Sequence, residues 1–121
     1  MSLLGSALFG THPVKFEMQL LAVDASEGVA VADYDKDGKL DVSAGRNWYR
    51  NPGNSGEWVP RPLRMIEDRN GYAHSNGEHA YDVDGDGRVD VVSNSFWLPE
   101  VNWYRNPGEK GLKWGRLWEQ N

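Results

Sequence analysis

Apolar residues fall along this chain in short bursts rather than long periods. Val, Trp, Tyr and Leu alternate with polar positions for a few residues, then give way to Asp, Asn, Gly and Pro. Period-two alternation bounded by turn residues predicts strands, here at 14–23, 28–32, 40–44, 47–50 and 57–65, and again at 78–81, 89–93, 101–105 and 112–119. No stretch of about 12 residues keeps a helical apolar period free of Gly or Pro. Pro60 and Pro62 cannot donate to a ladder, so the fifth strand belongs at a sheet edge or a bulge. The reading is all-β, and the regular spacing of strands and turns suggests a sandwich, barrel or propeller.

The pattern also repeats. Ala30-Val31-Ala32-Asp33-Tyr34-Asp35-Lys36-Asp37-Gly38-Lys39-Leu40-Asp41-Val42 returns, with Asp and Gly in register, as His79-Ala80-Tyr81-Asp82-Val83-Asp84-Gly85-Asp86-Gly87-Arg88-Val89-Asp90-Val91. The heptapeptide Asn47-Trp48-Tyr49-Arg50-Asn51-Pro52-Gly53 returns unchanged at Asn102–Gly108. The second copy has extra residues between the two blocks, around Phe96-Trp97-Leu98-Pro99. An insertion confined between matched blocks is what a surface loop on a repeated unit tolerates.

Composition narrows the function classes. The 121 residues carry a net charge of −5, with no Cys, and 6 Trp, 5 Tyr and 3 Phe. An acidic chain lacks the basic face that general phosphate-backbone binding needs, so nucleic acid is excluded as a partner. The missing cysteines exclude a disulfide scaffold, thiolate metal ligation and a Cys nucleophile. No apolar run approaches a membrane span, so no membrane insertion is expected. Residues 1–10 lack a basic n-region and are short for a signal h-region; they read as a leader.

The sharpest chemistry lies in the two acidic loops. Asp33, Asp35 and Asp37 stand at relative positions 1, 3 and 5, with Gly38 next; Asp82, Asp84, Asp86 and Gly87 repeat the arrangement. Such alternation wraps several oxygens around one hard cation, and glycine permits the sharp turn. The backbone carbonyls of Lys39 and Arg88 can add a ligand, and Asp41 and Asp90 can close the shell. Calcium is the expected cofactor, since it takes 6–8 oxygen ligands at flexible geometry. An EF-hand is excluded: the position of its bidentate Glu holds Ala44 or Ser93, and the flanks are strand-like.

With β flanks and Asp at the ninth position, these loops resemble the calcium-binding loops of FG-GAP/VCBS repeats, the blade units of integrin-α-like β-propellers. The Trp-Tyr-Arg-Asn-Pro-Gly stretch similarly resembles the third-to-fourth-strand segment of bacterial VCBS proteins. The resemblance covers residues 28–121 and implies calcium-stabilised loops between the first and second strands of each blade. It implies one site of Asp33, Asp35, Asp37, Asp41 and the Lys39 carbonyl, and a second of Asp82, Asp84, Asp86, Asp90 and the Arg88 carbonyl. Gly85 fits the family's fourth loop position better than Lys36 does. On this reading 1–13 is a leader or chain start and 14–27 a strand from a preceding blade. Residues 28–77 form the first four-stranded blade and 78–121 the second. Propellers close with about 4–8 blades, so the expectation is a segment of a longer propeller or self-association of copies.

Outside the loops, His74, Glu78 and His79 form a polar cluster on an expected channel-lining strand, fit for ligand binding or general-base work. Phe96 and Trp97, in the insertion, offer an exposed apolar tip for a ligand. The repeated Trp-Tyr pairs are expected to pack between blades. The functional expectation is a non-catalytic, calcium-binding segment outside the cytosol (extracellular, cell-surface or periplasmic), serving structure, adhesion or recognition of a protein or carbohydrate ligand. The alternative is part of a carbohydrate-active propeller enzyme, a lyase or dehydratase, using His74 and His79.

Overall fold

The computed structural model describes residues 13–70, 72–73 and 75–121. Strands β1 (Val29–Ala32), β2 (Asp41–Ala44), β3 (Asn47–Arg50) and β4 (Val59–Pro62) form one antiparallel sheet in chain order. A small hairpin follows, β5 (Asp68–Arg69) and β6 (Tyr72–Ala73). Strands β7 (Gly77–Tyr81), β8 (Asp90–Asn94) and β9 (Val101–Arg105), a short helix α1 (Gly108–Lys113) and β10 (Glu119–Gln120) complete the second half. Its sheet is also four-stranded and antiparallel, in the order β10-β9-β8-β7. The prolines of β4 sit where they cost no ladder bond, at a sheet edge.

The sheets lie face to face with β1 beside β7. The amides of Glu27 and Gly28 both donate to the Ser75 carbonyl (3.0 Å each), and Trp118 N–H donates to the Leu63 carbonyl (2.8 Å), stitching the halves at both ends. The first sheet turns the cross-strand row Ala30, Ser43, Trp48 toward its neighbour; the second answers with Ala80, Val91, Tyr104. Between them Trp48, Leu63, Val91, Tyr104, Leu112 and Trp118 close around Tyr34. The Tyr34 ring meets Trp48 and Trp118 edge-on, at centroid distances of 6.2 and 5.6 Å, the geometry that aromatic quadrupoles favour.

The Trp-Tyr repeat is thus used asymmetrically: the core takes Trp48 from the first copy and Tyr104 from the second. The second sheet's other face carries the row His79, Val92, Trp103, with Tyr81 and Val101 exposed nearby; the first sheet's other face carries Val31, Val42, Tyr49, with Val29 and Val31 exposed. A buried ion pair also crosses between the halves. Arg64 Nη2 lies 2.5 Å from Glu78 Oε2, Ser75 Oγ donates to the same oxygen at 3.0 Å, and the guanidinium stacks on the Tyr104 ring.

Two expectations are corrected. Residues 14–23 form no strand: Val14, Phe16, Met18 and Leu20 alternate as a strand would, but no ladder pairs them, and their side chains are exposed. Period two alone does not make a strand without a neighbour to bond. The expected strand at 112–119 is mostly helix and turn, with only Glu119–Gln120 paired to β9. The helix begins after Pro107, with Glu109 in its first turn and Lys113 in its last, charges that suit the helix dipole. Gly111 packs on Pro107 so closely that a Cβ there would sit 2.4 Å from the Pro107 Cβ. Six residues cannot hold a helix alone; burial of Leu112 in the core anchors it. After the first copy of the heptapeptide stand Asn54-Ser55-Gly56, which favour turns, and there the chain turns instead.

Candidate metal centres

Each acidic loop spans the connection from a sheet's first strand to its second, and its carboxylates order it from within. In the first, Asp33 Oδ1 and Oδ2 accept from the amides of Asp37 (3.0 Å) and Gly38 (2.9 Å), and Asp37 Oδ1 accepts from Lys39 N–H (3.0 Å). In the second, Asp82 accepts from Gly85 (2.9 Å) and Gly87 (2.8 Å), and Asp86 Oδ1 from Arg88 N–H (2.9 Å). Asp35 and Asp84 each accept from the amide two residues on, both at 3.2 Å. Three carboxylates are thereby gathered in each loop: Asp33, Asp35 and Asp37, and Asp82, Asp84 and Asp86 each offer oxygens within 4.8 Å of one another.

An all-oxygen donor set of this charge fits a hard divalent cation, and the structure itself supplies a stand-in. Arg50, the fourth residue of the heptapeptide, lies over the first loop, with Nε 2.5 Å from Asp35 Oδ2 and Nη2 2.7 Å from Asp37 Oδ2. Lys39 Nζ reaches the same Asp37 oxygen at 2.6 Å. Arg105 takes the matching place over the second loop, with Nε 2.7 Å from Asp84 Oδ2. Lys39 chiefly, with Arg50 behind it, holds the Asp37 carboxyl below its ordinary range, and the bond to Asp35 raises the Arg50 pKa.

Asp41 and Asp90 have a different local task. Both are buried, and both carboxylate oxygens of each accept backbone amides: Tyr34 (3.1 Å) and Asn51 (2.8 Å) for Asp41, Val83 (3.0 Å) and Asn106 (2.8 Å) for Asp90. They tie the loop's second residue to the asparagine that follows β3 or β9. Burial pushes Asp41 up to about 6, against the pull of those two amides. Lys39 and Arg88 enter the network through their N–H groups as described above.

Sequence reasoning passed over four residues that the fold makes central, although the unchanged heptapeptide was their signal. Arg50 and Arg105 neutralise the carboxylates. Asn51 and Asn106 brace the loops: Asn51 Nδ2 donates to the Leu40 carbonyl at 2.8 Å. Asn106 Nδ2 donates both to Val89 of its own loop and to Tyr34 of the other, each at 3.0 Å. That second bond couples the two loops across the sheet interface.

The other candidates do not converge. Glu78 and His79 are neighbours on β7, and a strand sends neighbours to opposite faces. Glu78 points inward to Arg64, while His79 is exposed on the outer face. Glu78 and His79 therefore do not face a common pocket, and His74 lies outside the described residues. Phe96 and Trp97 pair edge-to-face at 5.2 Å on the exposed insertion, with the Phe96 amide fixed to Asn76 Oδ1 at 2.6 Å. A cleft of about 550 Å³ opens beside the first loop, with Tyr34, Trp48 and Arg61 in its wall. No helix among the described residues is long and apolar enough to cross a membrane. No family model, curated protein or solved structure matches this chain, so the twin acidic loops and their shared scaffold stand on their own geometry.

Proposed function

We propose that the chain is a calcium-binding pair of propeller-type blades of the FG-GAP/VCBS kind, non-catalytic, with a structural, adhesive or ligand-recognition role outside the cytosol. One observation carries this reading: two triplets of carboxylates, each folded by closely similar Asx-type bonds and by corresponding Asp, Asn and Arg neighbours. Asp33, Asp35 and Asp37 would hold one ion and Asp82, Asp84 and Asp86 the other. A bound divalent cation would relieve the mutual repulsion of the carboxylates and stabilise the native state by mass action. The weak affinities typical of extracellular calcium modules suit loops that remain ordered by their own hydrogen bonds. Thermal melting with calcium and with a chelator tests this. Calcium raises the Tm of the parent chain, and the rise shrinks in Asp35→Asn and in Asp84→Asn. Equal melts under all conditions would overturn the assignment.

The outer faces support self-association as the mode of assembly. His79, Val92 and Trp103, on the second sheet's outer face, are the repeat equivalents of Ala30, Ser43 and Trp48, which pack inside. Val31, Val42 and Tyr49 likewise match Ala80, Val91 and Tyr104. A second copy can therefore dock head to tail, using the interface already present within one chain. Light scattering of the parent, Trp103→Asp and Val31→Asp proteins decides it: the parent exceeds monomer mass and each variant falls back to it. A monomeric parent at high concentration would sink this mode of assembly.

A further inference from the structure

The cleft beside the first loop has an electrostatic character opposite to that of the chain around it. Five cationic side chains and three carboxylates line its volume of about 550 Å³, in a protein of net charge −5. Two of those carboxylates, Asp35 and Asp37, are already answered by Arg50. What remains is four cations, Lys36, Arg61, Arg88 and Lys113, against the carboxylate of Glu109. They come from four separate elements: the first loop, β4, the second loop and α1. Among the described residues Lys36, Arg61 and Lys113 have no side-chain ion pair or hydrogen bond, and Arg88 reaches only Asp86, at 3.4 Å.

Two of these placements work against the fold. Arg61 stands opposite Trp48 and so extends the inward row of the first sheet, half-buried between the sheets with no counter-ion. Lys36 is left-handed (φ +61°) where the repeat has Gly85, a strain that proteins keep chiefly at functional positions. Its side chain crosses toward the second loop, with Nζ 3.8 Å from where a Cβ on Gly87 would lie. Arg88 is laid against Gly108, where an added Cβ would fall 2.9 Å from the guanidinium carbon.

We propose that this cleft binds a small organic polyanion, a molecule carrying two or more phosphate, sulfate or carboxylate groups. Like charges gathered without partners, in a chain with 18 acidic residues to pair them, are relieved by an anion from outside. The two guanidinium groups suit oxyanions, which they take through paired N–H donors. Cations spread over four elements favour several anionic groups over one. The volume lies within the about 300–1,000 Å³ of small-molecule sites, and Tyr34, Trp48 and Leu112 line it with carbon for the ligand's skeleton. A long polyanion is refused, because its flanks would meet the acidic loops. The proposal gives the ligand-recognition role a place and rests on that role, but needs no metal in either loop.

Titration calorimetry on the metal-free full chain, at low ionic strength, tests it with citrate, a hexose bisphosphate and inorganic phosphate as probes. At least one of the two polyanions binds about tenfold more tightly than inorganic phosphate, and which one binds better identifies the anionic group. Arg61→Gln weakens that binding about tenfold. Lys36→Gly weakens it about threefold while raising the Tm of the free protein, an opposition that a merely structural lysine would not produce. Lys113→Gln also weakens binding about threefold, whereas Lys110→Gln, on the same helix but outside the cleft, leaves it unchanged. Should Arg61→Gln fail to fold, the exposed pair Lys113 and Lys110 still decides. No saturable binding, inorganic phosphate binding as tightly as either polyanion, or equal losses in Lys113→Gln and Lys110→Gln would overturn the site. Because no calcium is present, a failed calcium response of the loops leaves this result standing, and the reverse holds as well.

Discussion

The two halves carry the same seven residues, Asn-Trp-Tyr-Arg-Asn-Pro-Gly, and put them to different use. In the first half Trp48 enters the inter-sheet core, Asn51 braces only its own loop, and the chain then turns at Asn54-Ser55-Gly56. In the second half Tyr104 enters the core, Trp103 faces outward, and Asn106 reaches both loops, with a helix anchored by Leu112 following. Local chemistry, the Asx bonds and the Arg over the carboxylates, is common to both because it depends on residues close in sequence. What each ring or amide touches beyond its own sheet differs, because the two sheets meet through opposite faces of the repeat, Trp48 on one side and Tyr104 on the other.

The strongest way to break the comparison is to truncate the same residue in both halves. Trp48→Ala opens a void in the shared core and costs about 3–5 kcal/mol, read as a shifted denaturation midpoint at unchanged slope. Trp103→Ala costs the monomer far less, and parity between the two would mean the outward face is covered after all. Next comes the pair of asparagines. Asn106→Ala removes a buried amide that satisfies two carbonyls and costs about 2–3 kcal/mol, whereas Asn51→Ala loses a more exposed bond and costs about 1 kcal/mol.

A pH test sharpens the account of the first loop. Buried Asp41 has its folded pKa raised to about 6 from 3.8. The protonated form therefore favours folding: its contribution is fully present below the unfolded pKa and is lost as pH rises through the folded one. Metal-free protein gains roughly 2 kcal/mol from this group between pH 7 and pH 4, a gain that Asp41→Asn erases. Stability that is flat with pH in both proteins would show that the buried carboxyl titrates normally. The smallest expected effect is Lys36→Gly, which makes the first loop resemble the second at position four and raises stability in chelator by about 1 kcal/mol. No gain there would mean that the left-handed backbone at Lys36 carries no strain.

Much of this was legible in advance where the controlling interactions are local. Strand positions such as Asn47–Arg50 and Val101–Arg105 follow from β-rich runs between turn residues, and the observed bounds agree. The edge position of the strand with Pro60 and Pro62 follows from the missing amides. The gathering of Asp33, Asp35 and Asp37, and of Asp82, Asp84 and Asp86, follows from alternation closed by glycine. The failures are equally physical. The alternating Val14–Leu20 stretch has no strand to bond, and the helix at Gly108–Lys113 is too short for periodicity to reveal, because it is held from outside by Leu112.

By itself, then, the amino-acid sequence determined the repeat, the β character and which carboxylates share a loop, since each depends on backbone conformation and neighbours a few residues away. Tertiary structure alone decided that Glu78, rather than His79, faces inward and that Asn106 ties one loop to the other. It also decided that Lys39 and Arg50 close on Asp37 more tightly than Arg88 and Arg105 close on Asp86. Those outcomes turn on which faces of the two sheets meet and how closely they pack, which residue order does not set.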